Sequence, residues 1–187
     1  MPSRCSPSRA NRSSDRSVGT SIDPVPKEAT GKIGVPSPAR QKPERPRDEL
    51  GRPLPWEAET RLYLPDFDTM SLDENDRAAR AFLAGGNVFG AHEAWETAWK
   101  QAKGTGEEEL FKGLSQMGAG YVHLLRGNAH GAHTLLRRGA SRVGSFPVGT
   151  RGIATDALAR RLEADAQAVE DGTLAVGPQP ALELPAV

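Results

Sequence analysis

The chain has 187 residues, with 24 Lys/Arg balanced by 24 Asp/Glu and a single cysteine. This length suits one domain with tails. The lone Cys5 excludes an intramolecular disulfide and a thiolate metal knuckle and points to a cytoplasmic chain, while no stretch is long and apolar enough to read as a membrane span.

The neutral total hides an asymmetry, since ten Lys/Arg stand against four Asp/Glu before Asp48. Residues 1–46 are rich in Ser, Pro, Arg and Gly and carry almost no core-forming side chains, so they read as a disordered basic tail. This tail lacks aromatics and a continuous basic run, and nucleic acid is not an expected partner. Residues 47–70 contain Pro53, Pro55 and Pro65, which break regular structure. With Leu54, Trp56, Leu62 and Tyr63 they read as an extended arm packing on its own domain.

The helical domain is expected over 71–170. Ser71 and Glu74 form a capping-box signature, and the helix they open stops near Gly85-Gly86. Asn87 can cap a second helix, where Val88, His92, Trp95, Glu96 and Trp99 recur at three- and four-residue steps and so share one face. The glycines of Ala102–Gly106 end it. A third helix follows, begun by Glu107, Glu108 and Glu109, whose charges favour a helix N-terminus. It runs to Arg126 and is stopped by Gly127-Asn128. Asn128 can cap a fourth helix with Ala132, Leu135, Leu136 and Val143 inward. A fifth, from Thr150 or Thr155 to Val169, carries Ile153, Leu158, Leu162 and Val169 as its stripe. Residues 171–187 are Gly/Pro/Ala-rich and read as a flexible tail. No strand pattern, phosphate loop or nucleophile elbow competes. The expected fold class is therefore all-α, a compact bundle of about five helices with disordered terminal tails.

One functional signal stands out. The short link between the second and third helices predicts an antiparallel pair, which brings the start of one against the end of the other. His92, Glu96, Lys112, Gln116, His123 and Arg126 then fall in step with the apolar residues, and a carboxylate, two imidazoles and an amide can converge in one cleft. Two readings fit: a hydrogen-bonded network that orients the helices, or a metal or proton-transfer site lined by His92, Glu96 and His123. The segment His92-Glu-Ala-Trp-Glu96 resembles the zinc motif HExxH but places Glu96 where the second histidine would stand. Zinc and non-haem iron accept mixed His/Glu sets. Lys112 or Arg126 can bind a phosphate or carboxylate. His130 and His133, one turn apart, offer a second chelating pair, although they read more simply as polar helix residues near the rim.

The stretch from Ala81 to Arg142 resembles a bacterial family of small all-helical proteins, domain of unknown function family 309. The residues that carry the resemblance are Asn87, Ala91, His92, Glu93, Glu96 and Trp99 in one helix, Lys112, Gly113, Leu114, Gln116 and His123 in the next, then Arg126, Gly127, Asn128, Gly131, Ala132, Leu135 and Leu136. The flanking Arg47-Asp48 and Gly51–Pro55 also look like actinobacterial members. Gly86–Gly90 departs from the pattern, where members often carry a bulkier aromatic pair. The resemblance implies a compact helical protein, and some members carry the label of predicted metal-dependent hydrolase. For that activity His92, Glu96 and His123 are the metal candidates, and Glu93 and Lys112 the catalytic ones. The binding reading assigns His92, Glu96, Gln116, His123 and Arg126 to a small anionic ligand or a protein partner, and a homodimer is compatible with both. The sequence names no cofactor, substrate or reaction.

Overall fold

A computed structural model describes residues 44–174 and 184–186. The expectations for 1–43, and for 175–183 within the C-terminal tail, lie outside the described residues. The described part is all-α, with five helices, no strand and two isolated bridges, Arg47 with Pro53 and Ile153 with Ala186. None of the described helices is long and apolar enough to cross a membrane.

Helix α1 spans Leu72–Ala84 and begins with the capping box that the sequence announces: Ser71 accepts from the backbone of Glu74, and the Glu74 carboxylate accepts from the backbone of Ser71. Helix α2, Val88–Gln101, is capped by Asn87, whose side chain accepts from Gly90. Helix α3 spans Glu108–Leu125, and α4, Ala129–Val143, repeats the Asn cap with Asn128 accepting from Gly131. A 3-10 turn at Thr150–Gly152 precedes α5, Thr155–Glu170. Each helix packs chiefly on its neighbours in sequence, α1 on α2, α2 on α3, α3 on α4 and α4 on α5.

This order explains where the helices differ from the sequence expectation. A helix with one neighbour buries one stripe, but α2 lies between α1 and α3 and buries two. Thr97, expected towards water, is therefore buried along with Ala94 and Ala98. Trp95, expected on the His92 face, is fully buried on the α1 side, and its indole Nε1 donates to Asp76 at 3.0 Å. Asp76 is itself buried and paired with Arg80, which satisfies a carboxylate that would otherwise be costly to bury. Trp99 is half-buried on the other side, with Lys112 of α3 5.2 Å from the ring centroid.

Arg151 closes the layout. It lies in the left-handed region with φ of 51°, which a non-glycine residue rarely adopts. Its guanidinium donates to Glu107 at the start of α3 and to Asp73 of α1, each at 2.7 Å, and stacks on Phe111 4.9 Å from the ring centroid. Where α1, α3 and α5 leave space, a cavity of about 170 Å³ is lined by Leu83, Met117, Tyr121, Leu158, Leu184 and Pro185, among others. Tyr121 is buried there, and its hydroxyl donates to Asp165 at 2.6 Å, which also holds Arg161 at 2.8 Å. Burial first, and then the Asp165 charge, push the Tyr121 phenol well above its usual range.

Candidate metal centre

The site is set by how closely α2 and α3 approach. A Cβ on Gly118 would lie 2.9 Å from the Cα of His92, so only glycine at 118 lets the two backbones meet there. The approach delivers the His92 ring to the α3 backbone. Nδ1 of His92 lies 3.0 Å from the carbonyl oxygen of Ser115 and 3.2 Å from its hydroxyl. A carbonyl can only accept, so Nδ1 carries the proton of this bond. In the neutral ring the other nitrogen, Nε2, then presents its lone pair to two carboxylates, 3.4 Å from Glu96 Oε2 and 3.8 Å from Glu93 Oε1. Three acceptors facing one another repel unless a proton or a metal ion lies among them.

The spacing suits a metal. His92, Glu93 and Glu96 each offer one ligand atom, all within 4.8 Å of one another. Tetrahedral zinc ligands at about 2.1 Å from the ion are roughly 3.4 Å apart, close to the His92–Glu96 separation. The Nδ1–H to carbonyl bond is the outer contact that commonly fixes the tautomer of a metal-binding histidine. The other Glu96 oxygen accepts from Lys100 at 2.8 Å, and this bond raises the Lys100 pKa. With that lysine counted, neutral His92, two carboxylates and one ammonium leave a net charge of −1, which favours a cation.

The remaining predicted residues are divided. His123 neighbours His92 closely enough that desolvation, then Arg126, then His92 lower its pKa. It is not part of the three-residue ligand group, and its own bonds disfavour the ligand role. The Asn128 oxygen is committed to the Gly131 N–H, so its amide nitrogen faces His123 Nδ1 at 2.8 Å as a donor. Nδ1 accepts, and the neutral ring carries its proton on Nε2. Glu93, expected as a general base, instead stands beside His92 within the ligand group. Gln116 turns to α4, where it accepts from Arg142 at 3.1 Å. Lys112 pairs with Glu109 at 3.3 Å. Arg126 donates to the carbonyl of Leu50 in the arm and lies over the Phe89 ring at 5.8 Å. His130 is exposed and His133 lies 3.7 Å from Glu170 of α5, so these two histidines join different surroundings.

The Ser115 carbonyl escaped the sequence reading because a backbone acceptor leaves no mark in the residue pattern. Asp76 had a legible signal in Arg80, one turn on, but nothing in the pattern points to its bond with Trp95.

The family described as Domain of unknown function (DUF309) has a model that matches residues 77–135. Over residues 77–135 the chain is similar to this family. The DUF309 match covers most of α1, all of α2 and α3 and the first half of α4, and so contains His92, Glu93, Glu96 and His123. The arm over 47–70, the first residues of α1 and helix α5 lie beyond it. No curated protein and no solved structure matches the chain.

Proposed function

We propose that this domain binds a divalent transition-metal ion, with zinc as the first candidate, through Nε2 of His92 and one carboxylate oxygen each of Glu93 and Glu96. The observation that carries the reading is the contact of His92 Nδ1 with the Ser115 carbonyl, which turns Nε2 towards two carboxylates and makes it the free donor atom of the neutral ring. Nitrogen and carboxylate donors in one set suit zinc, and three protein ligands leave a position for water or a small ligand. An ion held in this way supplies Lewis acidity. His123, with its Nε2–H, supplies a neutral donor beside it.

Binding is a better-supported reading than hydrolysis. The two residues expected to carry hydrolysis are engaged otherwise: Glu93 belongs to the ligand group and Lys112 is paired with Glu109. Zinc titration of the untagged full chain, with a competing chromophoric chelator, tests the proposal. One saturable equivalent is expected in the wild type, weakened at least tenfold in His92→Ala and in Glu96→Gln. Equal zinc binding by wild type and both variants overturns it.

A further inference from the structure

Residues 184–186 seat themselves on the bundle at the start of α5. Leu184 packs against the core, the Pro185 carbonyl accepts from the backbone N–H of Ala154 at 2.8 Å, and Ala186 pairs antiparallel with Ile153. Ile153 is fully buried, and Ala154 stands at the N-cap of α5 with no side-chain capping bond, so its N–H takes a partner from outside the helix. Proline suits the place. It has no N–H to leave unpaired at an edge, and its fixed φ limits the freedom that the segment loses on docking.

Leu184 and Pro185 form one wall of the cavity of about 170 Å³, with Leu83, Met117 and Leu158 among the other lining residues. The polar groups of that lining answer one another, since Tyr121 and Arg161 both donate to Asp165, at 2.6 and 2.8 Å. Apolar surface therefore decides what enters. Protein interiors pack with few voids larger than a water molecule, yet the Leu184 side chain leaves this space beside it. A larger apolar side chain at the same point of the segment removes more surface from water and gains contacts.

We infer that this edge and cavity form a docking groove for an extended segment of a partner protein, one that carries a bulky apolar residue immediately before a proline, with phenylalanine preferred to leucine. Residues 184–186 of the chain are the resident occupant and hold the groove closed. Being tethered, they compete at an effective concentration on the order of millimolar. The groove shares no residue with the metal group, so the two proposals stand apart.

The test uses the full chain and two fluorescein-labelled peptides, one with the sequence of residues 181–187 and one carrying Leu184→Phe in that sequence. Binding is read by fluorescence anisotropy and by the methyl resonances of Met117 and Leu158. The wild-type chain is expected to bind both peptides weakly. Leu184→Asp in the chain removes the resident anchor, and this variant is expected to bind both saturably and at least tenfold more tightly, with shifts at both methyl groups and the Leu184→Phe peptide ahead. Adding Ala157→Trp to that chain fills the cavity that Ala157 lines and is expected to abolish binding while circular dichroism shows the helices intact. No saturable binding by folded Leu184→Asp, equal affinity in that variant and the wild type, a Leu184→Phe peptide no tighter than its parent, or binding that survives Ala157→Trp overturns the inference.

Discussion

The imidazole of His92 and the backbone carbonyl of Ser115, 3.0 Å apart, join the second and third helices and at the same time decide which ring nitrogen is free. The same contact therefore bears both on stability and on the proposed metal site. Its geometry depends on the missing side chain of Gly118, one turn along α3 from Ser115, where an added Cβ would meet the His92 backbone.

Gly118→Ala is accordingly expected to force the helices apart. The overpacking should cost about 1–3 kcal/mol, read by urea denaturation, and should weaken zinc binding as the ring moves away from Ser115. Unchanged stability and affinity would show that the approach has slack.

The two tryptophans of α2 are expected to behave differently. Trp95 is fully buried and bonded to Asp76, so Trp95→Ala should cost about 3–5 kcal/mol, the range for truncating a core aromatic. Trp99 is half-buried and should cost distinctly less. Chemical denaturation of both variants ranks them, and a larger loss at Trp99 would contradict the packing described.

Tyr121 sets an alkaline limit. The folded state holds its phenol protonated beyond the ordinary pKa of about 10, through burial and the Asp165 charge. Above that pH the unfolded chain has lost the proton and the folded chain keeps it, so the unfolded state binds fewer protons and stability falls as pH rises. The slope approaches about 1.4 kcal/mol per pH unit for one group. Denaturation at pH 9 and pH 11 should show this component in the wild type and its loss in Tyr121→Phe. Equal slopes would place Tyr121 outside the linkage.

His123 acts on the acid side. Its folded pKa lies below the ordinary imidazole value because of desolvation, then Arg126 and His92. The stability this contributes is present above the unfolded pKa of about 6.5 and is lost as pH falls through the folded value. His123→Asn should flatten the dependence of the melting temperature on pH between 7.5 and 5. An identical dependence in the variant would assign the acid sensitivity elsewhere.

The sequence made the helices legible where local chemistry sets them. The Ser71–Glu74 box and the Asn87 and Asn128 caps are short-range devices, and each appears where its residues occur. The His92–Glu96 pairing was readable for the same reason, since four residues make one turn. The environment of α2 was not readable, because a helix between two neighbours buries two faces and a single-stripe reading sends Trp95 the wrong way. Nor were the roles of Gln116 and Arg126, which depend on α4 and on the arm, 26 and 76 residues away along the chain.

Arg151 has a consequence for how the protein comes apart. The helices meet mostly as sequence neighbours, and such local pairings form quickly. The bonds from Arg151 to Asp73 and Glu107 instead span 78 and 44 residues, so they close long loops and carry a larger closure entropy than the pairings between sequence neighbours. Arg151 therefore acts as a latch between α1, the start of α3 and the turn before α5. Opening is expected there first, with α1 and that turn separating while the α2–α3 pair and its His92–Ser115 contact stay closed.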